Sequence, residues 1–178
     1  MPPDSKSKPA RIAILGAESS GKSTLAAALA ARYGTLWVPE YLREFVETRG
    51  RTPREQEQIE IALMQVRREE EAAPQAKRFL FCDTTPLMTA LYSQFYWERV
   101  DRRLAALVRE RHYEMTLVAV PDMPWIADGM QRESDEVRHA IHAMLLALLD
   151  RQDIRYELLD GGEARRLASA AALLERLP

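Results

Sequence analysis

The chain contains no asparagine. That absence removes the N-K-x-D motif with which GTPases read guanine, and the asparagine with which remodelling ATPases often sense a γ-phosphate. There is a single cysteine, Cys82, so no intrachain disulfide can form. Neither sign of charge is in excess: 25 basic and 27 acidic residues leave a formal charge of −2, which gives no global pull towards nucleic acid or an anionic membrane. Long apolar runs are missing too. Even Ala143 to Leu149, which no run exceeds, falls far short of the ~20 residues that cross a bilayer, and no apolar core follows the start of the chain as a secretory leader would require. These absences lead us to expect a cytoplasmic protein with a small-molecule partner and with neither a nucleic-acid nor a membrane partner.

What is present is ordinary for one globular domain: 178 residues, 47% of them hydrophobic and 29% charged. The informative stretch is Gly16 to Ser23, GAESSGKS, which fits the Walker A pattern G-x-x-x-x-G-K-[ST]. It lies between the apolar run Ile12 to Leu15 and the helix-like run Thr24 to Leu29, the order strand, phosphate loop, helix. Such a loop folds into a nest of backbone N–H groups aimed at phosphate oxygens, and the following helix adds its positive end. Gly16, Glu18, Ser19, Ser20, Gly21, Lys22, Ser23 and Thr24 are therefore expected to bind ATP. Lys22 is expected at the β- and γ-phosphates and the Ser23 hydroxyl on Mg²⁺.

The rest of the chain alternates strands and helices. Residues 1–9 hold three prolines and no periodicity, and are expected to be a mobile tail ahead of a single domain over 10–178. Strands are expected at Thr35 to Val38, Arg78 to Cys82, Met115 to Val120 and Ile154 to Leu159. A helix is expected from Thr52-Pro53-Arg54-Glu55, with Ile59, Leu63 and Val66 on its apolar face. Further helices are expected after Thr85-Pro86, over Arg99 to His112, after Ser134 and after Gly161-Gly162. The pattern predicts an α/β fold: a P-loop NTPase three-layer αβα sandwich around a five-stranded parallel sheet, with a lid over about 122–138. Ligands of such sheets bind at the carboxyl ends of the strands, where the loop, Glu40 and Asp83 fall.

Asp83 is followed by Thr84, so the glutamate that usually activates water beside a strand-end aspartate is not in its customary place. That favours a kinase, whose nucleophile is a substrate hydroxyl. Glu40 is the candidate to hold that hydroxyl and take its proton, and Asp83 the candidate for a metal-bound water or a ribose hydroxyl. Arg132 and Arg138 flank the lid as candidates to close over the phosphates. Tyr41, Phe45, Tyr92, Tyr96 and Trp125 can stack on a base, whereas helical spacing assigns Phe95 and Trp97 to the core.

Four blocks, GAESSGKSTLAAALA, WVPEYLREFVETRG, FCDTTPLMTALYSQFYW and PWIADGM, occur in the order found in the nicotinamide riboside kinase domain of NadR-type NAD-salvage proteins, which the chain resembles over most of its length. The resemblance implies a nucleoside-kinase-like fold with a lid. It further implies ATP and Mg²⁺ as co-reactants and transfer of the γ-phosphate to the ribose 5′-hydroxyl of nicotinamide riboside. It adds Tyr41, Arg43, Trp125 and Asp128 to Glu40 and Asp83 on the substrate side, and gives Lys22, Glu40, Asp83 and Arg132 catalytic roles. The family's arginine two places after the D-G glycine is Gln131 here, with Arg132 next to it. About nine residues precede the first strand, so the adenylyltransferase and DNA-binding activities of larger members are expected to be absent. The readings that compete are a kinase for another nucleoside or small acceptor, and an ATP-binding regulator.

Overall fold

The computed structural model describes residues 8–125 and 134–178. Five parallel strands form one sheet: β1 (Ala10–Leu15), β2 (Leu36–Val38), β3 (Phe79–Asp83), β4 (Met115–Ala119) and β5 (Glu157–Leu159), in the spatial order β2-β3-β1-β4-β5. β1 is thus central, pairing with β3 from Ala10 opposite Phe79 to Ile14 opposite Asp83, and with β4 from Ile12 opposite Met115. Its side chains alternate between faces. Ile12 and Ile14 pack with Phe79, Phe81 and Leu117 beneath Leu25, Leu29 and Leu174. Ala13 and Leu15 pack on the opposite face with Leu87, Leu91, Ile141 and Leu145. The first face is covered by α1 (Lys22–Tyr33) and α7 (Glu163–Leu174), the second by α4 (Pro86–Trp97) and α6 (Asp135–Arg151). This is the three-layer sandwich that the alternating pattern predicts.

α2 (Tyr41–Arg49), α3 (Gln58–Ala72) and α5 (Arg102–Glu110) complete the described helices. α2 was not anticipated. It begins straight after Glu40, and Gly50 closes it at φ 66, its N–H donating to the Val46 carbonyl at 2.8 Å. α3 starts later than its proline predicts, because a single 3₁₀ turn over Glu55–Glu57 comes first. Its buried face is also rotated: Leu63 is 49% exposed, while Gln58, Ile59, Ile61, Ala62, Gln65 and Glu69 are buried. Three polar residues on that face hide its periodicity. Glu69 is satisfied at the amino end of the sheet by Arg111 at 2.6 Å and Tyr113 at 3.0 Å, and burial still pushes its carboxyl above the ordinary range against the pull of Arg111. The α5 and β5 segments are shorter than expected, and Asp101 caps α5 by accepting the Arg103 N–H at 2.7 Å. Among the described residues no helix is long and apolar enough to cross a membrane.

Candidate active site

The phosphate loop joins β1 to α1, and its turn depends on Gly16. At φ 155, a Cβ there would stand 2.6 Å from Ser20 Oγ and 3.0 Å from the Ala119 carbonyl. Ser20 turns inward and donates to the Ala17 carbonyl at 2.7 Å. Lys22 is buried and donates to the same carbonyl at 3.1 Å, so its ammonium lies folded over the loop. Ser23 Oγ donates to Asp83 Oδ2 at 2.5 Å. The other oxygen, Asp83 Oδ1, is buried and has no hydrogen-bond partner among the described residues. A buried acceptor left unmade inside a protein is costly, and a hydroxyl beside a half-satisfied carboxyl group is a donor set suited to Mg²⁺, which binds few protein groups and keeps its waters and phosphates. Among the described residues no cluster of three or more His, Cys, Asp or Glu side chains offers a cage of its own. The fit is therefore to a metal shared with phosphates.

Behind the loop stand two arginines. Arg166 of α7 is fully buried. Its Nε donates to the Gly161 carbonyl at 2.8 Å, its Nη1 to the Ser20 carbonyl, and its Nη2 to the Val120 carbonyl at 2.6 Å and to Asp122 Oδ1. Arg138 of α6 is 3% exposed, pairs with Asp135 at 2.6 Å, and donates to the carbonyls of Ser19 at 3.2 Å and Met123 at 3.0 Å. Arg138, a candidate for the phosphates from the lid, thus bonds the phosphate loop through the Ser19 carbonyl. Carbonyls drawn outwards leave the loop's N–H groups to face the ligand.

In front of the loop opens a cavity of about 730 Å³. The phosphate loop contributes Glu18, Ser19 and Lys22 to its lining, and Glu40, Arg43 and Arg51 add further charged side chains. Gln58, Ile61, Gln65 and Thr84 also line it, as do Met88, Tyr92, Tyr96 and Trp97 of α4. Tyr92 and Tyr96, one turn apart on α4, lie nearly parallel with ring centroids 6.2 Å apart. Trp97 faces this cavity rather than the core to which helical spacing assigns it. Glu40 sits at the N-terminus of α2, where the helix dipole favours a carboxylate. Gln65 locks this corner: its Oε1 accepts the Tyr41 N–H at 2.9 Å, and its Nε2 donates to the carbonyls of Pro39 at 3.3 Å and Asp83 at 3.4 Å. Glu57 grips Arg51 through two bonds of 2.7 and 2.8 Å. Arg51, together with the Arg54 N–H, holds the Glu57 carboxyl down at about 2.

The structure therefore brings Glu18, Ser19, Lys22, Glu40 and Arg43 to one cavity, with Ser23 and Asp83 bonded to each other. Tyr41 is not among the side chains lining it; the Arg68 guanidinium lies 4.7 Å from its ring centroid. Phe45 is buried beneath Arg49 and Arg51. Trp125 is exposed and also stands off the lining, while Thr24 lines a smaller cavity of about 270 Å³ with Gly21, Met123 and Arg166. Asp128, Arg132 and the rest of 126–133 in the expected lid lie outside the described residues, as do residues 1–7 of the expected tail. Sequence reasoning missed Gln65, Arg51, Thr84 and Arg166. A usable signal existed for Gln65 alone, which shares the i, i+4 row of Ile61 and Glu69.

A family model described as an AAA domain matches residues 11–166. The trifunctional NAD biosynthesis/regulator protein NadR of Salmonella typhimurium (strain LT2) is 29% identical over 150 residues, covering 82% of this chain and 37% of NadR. The chain therefore spans little more than a third of that relative's length. A crystal structure of NadR in complex with NR superposes with a TM-score of 0.83 at 21% identity, covering 94% of this chain and 51% of that one. Deoxyadenosine kinase from M. mycoides follows with a TM-score of 0.67 at 13% identity over 94% of this chain and all of that one. These likenesses show that the chain shares its fold with those two structures.

Proposed function

We propose that this chain, which belongs to the AAA domain family, is an ATP- and Mg²⁺-dependent kinase that phosphorylates the ribose 5′-hydroxyl of nicotinamide riboside to give nicotinamide mononucleotide. The observation that carries the proposal is the continuity of the cavity from Lys22 through Glu40 to the tyrosines of α4, which gives donor and acceptor one shared space. The likeness to NadR, one structure of which holds NR, supports the choice of nucleoside.

Loop amides and Lys22 take the β- and γ-phosphates, the lysine exchanging its Ala17 carbonyl for phosphate oxygen. Ser23 and Asp83 would hold Mg²⁺, which when bound neutralises charge between the β- and γ-phosphates. Glu40 orients the 5′-hydroxyl and accepts its proton as the new O–P bond forms and the bond from the γ-phosphorus to the bridging oxygen of ADP breaks. Tyr92 and Tyr96 offer π faces to the cationic pyridinium ring, which gains electrostatically from them. Arg43 lies on the cavity wall as a charge for the acceptor side, and Asp128 and Arg132 keep the substrate and lid roles implied by the family blocks.

The test is ADP release from ATP and Mg²⁺ across a panel of nucleosides. The proposal expects release to require nicotinamide riboside and to match nicotinamide mononucleotide formed. Faster turnover of another nucleoside overturns the acceptor, and turnover indifferent to every nucleoside overturns the kinase.

A further inference from the structure

Thr84 joins the end of β3 to the start of α4 with φ 69, the left-handed region. The other described non-glycine residues at positive φ are Ser19, Glu98 and Asp153, so Thr84 is the one β-branched side chain among them. A branched Cβ is the least tolerant occupant of that region. Where the chain makes an ordinary left-handed turn, as at the end of α2, it uses a glycine, Gly50.

The turn itself explains the backbone but not the side chain. The Thr84 N–H donates to the Ile14 carbonyl at 3.0 Å, which prolongs the β1–β3 ladder by one residue, and α4 begins two residues later with Pro86. One residue must therefore reverse the chain, and glycine would do so without strain. The helix-capping position belongs to Thr85, not Thr84. The Thr84 hydroxyl has no hydrogen-bond partner among the described residues. What the threonine does is line the cavity that Lys22 and Glu40 also line, directly after Asp83 in the chain. Strain retained at a ligand-facing position, with no structural return, marks a functional demand.

We propose that Thr84 is a substrate-binding residue, whose backbone is held in the left-handed region so that its hydroxyl can hydrogen-bond a ribose hydroxyl of the acceptor nucleoside. This rests on the kinase reading of the cavity. It gives the acceptor's sugar an uncharged partner beside the metal-binding carboxylate, able to donate or accept as the sugar requires.

The experiment compares Thr84→Gly, Thr84→Ser and, as a control at a left-handed residue outside the cavity lining, Glu98→Gly. Thr84→Gly relieves the strain and deletes the hydroxyl, so its Tm is expected to rise by about 2–4 °C. Its KM for the acceptor is expected to rise about tenfold, with KM for ATP unchanged. Thr84→Ser keeps the hydroxyl and an acceptor KM close to wild type, and Glu98→Gly gains stability with unchanged kinetics. A Thr84→Gly enzyme with the wild-type acceptor KM, or a Thr84→Ser enzyme as impaired as Thr84→Gly, overturns the proposal, as does a fall in Tm. Failure of the functional reading looks different, because it shows in the wild type: if another nucleoside is the acceptor, the same variants are read on it, and if none is, both proposals fall.

Discussion

From Gly16 to Ser23 the phosphate side of the cavity is one unbroken stretch of chain, whose expected phosphate donors are chiefly backbone amides and one ammonium. The proposed acceptor side is drawn from scattered places: Glu40 after β2, Arg51 from the loop after α2, Gln58 and Gln65 from α3, Thr84 after β3, and Tyr92 and Tyr96 from α4. The first side is a local motif braced from behind by Arg138 and Arg166. The second exists only once the sheet and three helices have assembled. Damage to the first should therefore weaken every ATP-dependent property together, while damage to the second should separate acceptor from ATP.

The sharpest way to break this contrast is Glu40→Gln. The general-base role proposed for Glu40 predicts a loss of about 10²–10⁴ in kcat, with ATP binding retained; a variant with near-normal turnover places the base elsewhere. Lys22→Ala, on the other side, should cost about 10²–10³ in turnover, and here ATP affinity should fall as well. Steady-state kinetics with ATP and acceptor varied separately read both variants. Tyr92→Ala is milder: loss of one π face should raise the acceptor KM by about 3–10-fold, with ATP unaffected.

The smallest effect concerns the brace of the acceptor side. Arg51 holds the Glu57 carboxyl at about 2, below its ordinary value of 4.5. A lowered folded-state value means that the ionised pair stabilises the fold above about 4.5, and that this contribution is lost as pH falls from there towards 2. Glu57→Gln should therefore have a slightly lower Tm than wild type at neutral pH, the two converging in acid. Parallel Tm curves down to pH 2 would contradict this.

The same contrast governs how much was legible in the sequence. The phosphate loop, the five parallel strands and the strand-end acids Glu40 and Asp83 could be read because each depends on neighbours in the chain: a glycine pattern, an apolar run, a residue closing a strand. α2 escaped notice because its buried residues are only Phe45 and Val46, too few for a period to show. The face of α3 was misjudged because Gln58, Gln65 and Glu69 are buried for their hydrogen bonds, so apolarity no longer tracked burial. Arg166 carries no sequence signal, and Thr84, although it lies in a block shared with the family, carries none that tells its role. One is defined by carbonyls from two distant segments and a nearby turn, and the other by a dihedral angle. Trp97 looked like core because its spacing could not reveal that its helix ends at a cavity.

The central claim is that loop and cavity are two halves of one phosphoryl-transfer site. It is tested most directly by a single-turnover reaction with γ-labelled ATP, Mg²⁺ and nicotinamide riboside, with the labelled product identified by mass and by its phosphorus resonance. The account predicts label on the ribose 5′-oxygen in step with ADP formation. Label passing to water at the same rate with and without the riboside would contradict it.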